Sequence, residues 1–302
     1  MTVSQQDLLD PAYLASLKDF QLMSRVAVDG FMAGIHHSHS HGAGMEFLQY
    51  RNYSQGEDLK YLDWKVLAKS DKLYTKVYQE ETNMNCYFVL DTSASMHYQG
   101  SRSACSKLHY ACIVAACIAQ LASRQGDNVG LFAYSDELHE SVETGGRLGQ
   151  VDRILQAMIR LRPSGEAQHE SMLRSFLHHF KTRGTVIYIS DMLEGEDVLP
   201  KLLRNFRINK SDCLAIQILD SDELDLPQNR VTRYLDSEVE GEVTTYPETA
   251  RADYEERMGT FLERLKKGLA QSQVDFLQLV STDSVGVSLA KYFDHRGRTR
   301  SC

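Results

Sequence analysis

The chain has 302 residues, 42% of them hydrophobic, with a formal net charge of −8 and a pI near 5.8. That length suits one large domain or two small ones, and the acidic balance argues against a general binder of nucleic acid or anionic membrane, which needs clustered Lys and Arg. No apolar run reaches the roughly 18 residues of a membrane span, and the first thirty residues lack a basic start followed by an apolar core. The six cysteines (Cys86, Cys105, Cys112, Cys117, Cys213, Cys302) show no C-x-x-C pair, which fits buried reduced thiols and a cytoplasmic setting.

Residues 7 to 33 read as one or two helices, with Leu8, Leu9, Leu14, Leu17, Phe20, Val26 and Phe31 as core candidates. A Gly-, His- and Ser-rich loop follows, then extended segments around Met45–Tyr53 and Leu73–Gln79. Residues 1–83 are too apolar for disorder and are expected to form an extension packed on the core. From about residue 84, strands and helices alternate. Apolar runs at Cys86–Leu90, Val129–Tyr134, Val186–Ile189, Leu214–Leu219 and Phe276–Val280 predict strands. Lys107 to Arg124 is Ala-rich and predicts a helix lying close on a sheet; Leu148 to Leu161 and the stripe Tyr254, Met258, Phe261, Leu265, Leu269 predict two more, the last capped by Thr249 after Pro247. Leu138 to Glu143 predicts a short antiparallel edge strand. Such alternation argues for an α/β fold of three layers on a mostly parallel, Rossmann-type sheet over residues 84–302. A strand-rich insertion is expected at 220–248, through Val231–Val239 and Val243–Tyr246.

The most informative stretch is Phe88-Val-Leu-Asp-Thr-Ser-Ala-Ser-Met96. An apolar strand covered on both faces ends in Asp91, followed at two-residue intervals by Ser93 and Ser95. Ligands of such sheets bind beyond the carboxyl ends of the strands. One carboxylate and two hydroxyls are hard oxygen donors that suit a magnesium-sized cation keeping some water. The bland reading is a turn in which Asp91 and Ser93 cap the next helix. The spacing D-x-S-x-S is similar to the first half of the metal-ion-dependent adhesion site of von Willebrand factor A-like domains. A second apolar strand, Thr185 to Ser190, also ends in a carboxylate, Asp191, where an A-like domain brings another acidic residue to its metal. Such a domain takes a threonine from a G-x-T loop, but the corresponding Arg162-Pro-Ser-Gly-Glu-Ala-Gln168 has none. Ser164 could offer a hydroxyl in its place, or Glu166 a carboxylate. A degenerate site held by hydrogen bonds is the alternative.

Residues 34 to 96 also resemble a bacterial family catalogued as domain of unknown function 58, which has an A-like core. The resemblance runs through Gly34, His36, Ser38, Gly42, Gly44, Glu46, Phe47, Arg51, Tyr53, Gly56, Asp58, Asp63, Trp64, Glu81 and Asn83 to Asp91, Ser93 and Ser95. It continues through Leu235, Asp236, Glu238 and Arg296, nearly the whole chain. It implies a cytoplasmic partner-binding protein, paired with a MoxR-type AAA+ ATPase in remodelling or maturation of a client protein, with no established catalysis.

Other signals carry less. His36, His37, His39 and His41 raise zinc, but a loop alternating His and Ser lacks a tetrahedral ligand spacing. His109, His178 and His179 are expected in helical stretches. Arg51, Asp58, Asp63 and Trp64 read as a buried polar knot in preference to a contact surface. The sequence holds no nucleophile elbow, P-loop, Rossmann glycine fingerprint or H-E-x-x-H, and Ser93 stands where a phosphatase D-x-D would need its second aspartate. The expectation is therefore a non-enzymatic interaction module. Asp91, Ser93, Ser95 and Asp191, helped by Ser164 or Glu166, hold Mg²⁺ (with Mn²⁺ or Ca²⁺ as alternates), and Asp191 acts through water. Its rivals are a metal-free scaffold and a hydrolase.

Overall fold

The computed structural model describes residues 47–52, 66, 73–78, 84–180, 182–208, 211–225, 232–235, 242–245, 247–286 and 289. His39–Asn83 make one compact unit, and Met84–Cys302 belong to another. In the first, β1 (Phe47–Asn52) pairs antiparallel with β2 (Tyr74–Tyr78), placing Arg51 opposite Thr75. These are two of the expected extended segments. The helices expected over 7–33, the histidine loop, and the side chains of Arg51, Asp58, Asp63 and Trp64 lie outside what is described.

The second unit is built on strands β3 (Asn85–Asp91), β4 (Asn128–Tyr134), β5 (Leu138–Gly145), β6 (Gly184–Ser190), β7 (Asp212–Leu219) and, past the insertion, β10 (Asp275–Val280). Their order across the sheet is β10-β7-β6-β3-β4-β5, with every pairing parallel except β4 with β5. Continuous apolar sequence is what two-sided burial demands of such strands. Phe88, Leu90, Leu131, Ile187, Ile189 and Ile216 point into one core, whereas Tyr87, Val89, Phe132, Tyr134, Val186 and Tyr188 point into the other. Helices α1 (Lys107–Arg124) and α2 (Gln150–Arg160) cover the first face. The small side chains Ala111, Ala115, Ala116 and Ala119 are all fully buried there. On the second face lie α3 (His169–Phe176), α4 (Leu199–Ile208) and the long α6 (Pro247–Gln271). The three-layer, mostly parallel α/β sheet is as expected.

Some details differ from expectation. Helix α6 begins at Pro247, whose fixed φ and missing N–H suit a first helical position, so Thr249 lies inside the helix and does not cap it. Helix α4 was not anticipated, and α3 ends at Phe176, so His178 and His179, expected in a helical stretch, fall in the turn after it. The insertion holds α5 (Ser221–Leu224) and an antiparallel pair, β8 (Thr232–Leu235) with β9 (Glu242–Thr245). Cys86, Cys105, Cys112, Cys117 and Cys213 are buried free thiols. Among the described residues no helix is long and apolar enough to cross a membrane.

The layout has one consequence for function. Strands after β3 are added on one side as β4 and β5, then on the other as β6, β7 and β10. The reversal lies between β3 and β6, and the crevice beyond the carboxyl ends of the two flanking strands is where open α/β sheets bind ligands. Asp91 closes β3, and Asp191 directly follows β6. Sheet integrity in this region rests on residues such as Leu90, which is completely buried. Leu90→Ala is expected to lower unfolding free energy by about 2–5 kcal/mol, read from urea denaturation; a loss under about 1 kcal/mol would contradict close packing at this strand.

Candidate functional site

Asp91 and Ser93 are fully buried, and Asp191 is 4% exposed. The Asp91 carboxylate accepts the Ser93 backbone N–H on Oδ1 (2.8 Å) and the Ser190 hydroxyl on Oδ2 (2.7 Å). Ser190 Oγ itself accepts the Met192 N–H at 3.0 Å. The Ser93 and Ser95 hydroxyl oxygens lie 3.1 Å apart, and Ser95 also hydrogen-bonds the Asp191 carboxylate. Four residues picked from sequence spacing thus converge at one rim of the sheet. The short 3₁₀ turn Ala94–His97 follows directly, and neither Asp91 nor Ser93 caps it: its first turn has no side-chain cap bond.

The loop after α2 reaches the same place through its backbone. Ser164 N–H donates to Thr92 O at 3.0 Å, and Ala94 N–H donates to Gly165 O at 2.9 Å. Gly165 is required here. Its φ is +71°, and a Cβ would come within 2.3 Å of Asp136 Oδ1. Ser164 and Glu166 are themselves exposed, so the contacts that tie their loop to the cluster are main-chain ones.

Sequence reasoning missed the strongest interaction in the site. Lys107, the first residue of α1, is completely buried, and its Nζ lies 2.8 Å from Asp191 Oδ2 and 2.6 Å from Glu223 Oε1. A cation at a helix N-terminus opposes the helix dipole, so a lone lysine opening an otherwise apolar helix signals carboxylates nearby. Those partners are 84 and 116 residues away in sequence. Burial would lower the lysine's pKa, but the two carboxylates more than offset it and hold the ammonium charged. Burial likewise would raise Asp191, yet the adjacent ammonium keeps its carboxyl below the ordinary range. At Glu223 the balance is reversed, and burial leaves its carboxyl raised despite the ion pair.

Asp91 has no such relief. Among the described residues no Lys or Arg pairs with it, and burial, reinforced by the charge of Asp191, pushes its carboxyl above the ordinary range against the opposing influences of His169, Ser190 and Ser93. Behind it, Tyr134 OH donates to Tyr188 OH at 3.1 Å, and both hydroxyls lie within 3.1 Å of His169 Nδ1. This trio anchors α3 to the sheet beside the cluster.

A third strand-end carboxylate, Asp220, is a structural knot. Its Oδ2 accepts Gly100 N–H and the hydroxyls of Ser103 and Ser281, and its Oδ1 accepts Asp222 N–H. These bonds fix the loop that leads into α1 and so set where Lys107 stands.

The donor set fits a small hard cation. Asp91, Asp191 and Glu223 against Lys107 leave a net negative cluster that a divalent ion would offset, and Ser93 and Ser95 place neutral hydroxyl oxygens beside it. Among the described residues no group of three His, Cys, Asp or Glu gathers as a metal set, so any ion here depends on the hydroxyls.

Comparison with known proteins bears on the family. A family model described as "Protein of unknown function DUF58" matches residues 49–260, well over half of the chain. The protein belongs to this family. An uncharacterized protein of Mycobacterium tuberculosis strain H37Rv is 26% identical over 224 residues, covering 73% of this chain and 69% of that protein. Among solved structures, the conserved hypothetical protein BatB from Bacteroides thetaiotaomicron superposes with TM-score 0.48 and 12% identity, covering 71% of this chain and 99% of that one. The VWA domain of SpRpn10 gives 0.43 and 11%, covering 69% and 94%. At these scores the superpositions say nothing of ligand or partner.

The charge pattern has a definite sign with pH. Because Asp91 is raised in the folded state, without metal its contribution to stability is full below the ordinary carboxylate pKa of about 4 and is lost as pH rises through the raised value. Asp191, held low, contributes above that ordinary value and is lost only as pH falls below it. Asp91 should therefore make metal-free protein more stable near the ordinary carboxylate pKa than above its own raised value, and Asp91→Asn should flatten that difference. In chelator at pH 7 this variant is expected to melt higher than the parent, by about 2–4 °C per kcal/mol of relieved charge burial. Scanning calorimetry checks both; a lower melting temperature would contradict an unbalanced Asp91.

Proposed function

We propose that this protein is a non-enzymatic docking module whose site takes Mg²⁺, with Mn²⁺ or Ca²⁺ as alternates, and presents it to an acidic side chain of a partner. The observation that carries this reading is Asp91, a fully buried carboxylate at the reversal point of the sheet, unpaired with any described Lys or Arg and flanked by two hydroxyls. Burying an ionised group without a counter-charge is costly, and such sites persist where something else supplies the charge. Asp91, Ser93 and Ser95 would hold the ion. Asp191, occupied by Lys107, would act through water. When bound, the ion would supply a Lewis-acidic point to which a carboxylate oxygen can add.

Ser164 or Glu166 could complete the rim, their loop being fixed there by Gly165. A MoxR-type AAA+ ATPase acting on a client protein in the cytoplasm is the partnership that fits the family resemblance. The metal-free scaffold finds support in one feature: Lys107 already neutralises half of the carboxylate pair.

The test is partner binding, measured by calorimetry with a MoxR-type AAA+ ATPase in Mg²⁺ and in chelator, for the parent and for Asp91→Ala. At least a tenfold loss of affinity in chelator and in the variant is expected. Equal binding in all four measurements would establish the scaffold instead, and turnover of a phosphoester panel would establish a hydrolase.

A further inference from the structure

We propose that Lys107 is the residue that makes this site selective for an acidic ligand group, by withholding Asp191 from the bound cation; the inference rests on the metal reading above. Its ammonium is completely buried, 2.8 Å from Asp191 Oδ2 and 2.6 Å from Glu223 Oε1. It cannot swing away to solvent without leaving both carboxylates uncompensated. Asp191 Oδ1 is engaged as well, by Leu193 N–H at 3.3 Å, and its backbone carbonyl is held by Gln217 Nε2 at 2.9 Å. The carboxylate is therefore fixed in place from both ends.

The consequence follows from counting charge around the ion. With Asp191 spent on Lys107, a divalent cation at Asp91, Ser93 and Ser95 has one anionic ligand and two neutral ones. Counting its direct ligands alone, the ion would keep a net positive charge and attract a further anionic oxygen, which is the chemistry of an Asp or Glu side chain. Were Asp191 free, two carboxylates would neutralise the ion, bind it more tightly and blunt its pull on a third. Lys107 thus weakens the cation's hold and strengthens its reach. The residue is a positioning and charge-setting group, not a ligand, and its rigidity comes from the Asp220 knot that fixes the loop ahead of α1.

The test uses the full chain and Mn²⁺ alone, with free ion counted by electron paramagnetic resonance, on the parent, Lys107→Met, Asp191→Asn and the double variant. Lys107→Met is expected to bind Mn²⁺ at least tenfold more tightly than the parent, because Asp191 becomes an unpaired carboxylate beside the ion. Asp191→Asn should bind at least tenfold more weakly, since the ammonium then faces the cation unscreened. The double variant should return to within about threefold of the parent. If Lys107→Met fails to fold by circular dichroism, the comparison of Asp191→Asn with the double variant decides alone: tighter binding by the double variant supports the inference, and equal binding overturns it. A folded Lys107→Met that binds no more tightly than the parent also overturns it. No Mn²⁺ binding by the parent at millimolar ion would overturn the metal reading itself, a distinct result.

Discussion

Two carboxylates buried side by side at the rim of a parallel sheet are the constraint around which this unit is arranged. Neither can be left ionised in a dry environment without a counter-charge, and removing one partner of a buried ion pair, such as Lys107 from Asp191, costs about 3–5 kcal/mol. The protein answers the problem twice, in different ways. Asp191 receives a permanent internal cation, Lys107, delivered by the first residue of α1. Among the described residues Asp91 receives a backbone N–H, a hydroxyl and the more distant influence of His169, but no direct Lys or Arg partner. That asymmetry is the physical content of the site.

The rest of the fold maintains the asymmetry. Parallel pairing of β3 with β6 puts the two strand ends next to each other, and the Ala-rich face of α1 lets that helix lie close enough for a lysine to reach the sheet rim. Asp220 and its serine partners clamp the loop ahead of α1. The Tyr134, Tyr188 and His169 trio holds the opposite layer. A site built on strand ends and a helix terminus is better fixed than one carried on loops alone, which suits a docking surface that must present one open position in a set direction.

Much of this was legible in the chain, and what was not has identifiable causes. The strands β3, β4, β6 and β7 announce themselves as bounded apolar runs, and Lys107–Arg124 is one helix because small and apolar residues fill its length. The pairing of Asp91 with Ser93, Ser95 and Asp191 was readable because strand ends in such sheets converge whatever the intervening sequence. Lys107 was not, since its partners lie on other elements and only its poor fit to a helix N-terminus hinted at them. Helix α4 shows Leu199, Leu202, Leu203 and Phe206 buried at helical spacing, a pattern present in the sequence and overlooked. By contrast α3 is eight residues long, opens on His-Glu-Ser and buries only His169, Leu173 and Phe176, so its periodicity is too brief to stand out. The loop of Ser164 and Glu166 is tied to the site by main-chain bonds, which no residue identity reveals.

The most direct measurement is a crystal structure grown in Mn²⁺, with the ion located by its anomalous scattering. One strong peak within ~2.0–2.3 Å of Ser93 Oγ and Ser95 Oγ, beside Asp91 and with Lys107 Nζ still on Asp191, is the expected result. Density at that position bonded only by protein groups, or a peak absent while Lys107 has turned to pair with Asp91, would contradict the account.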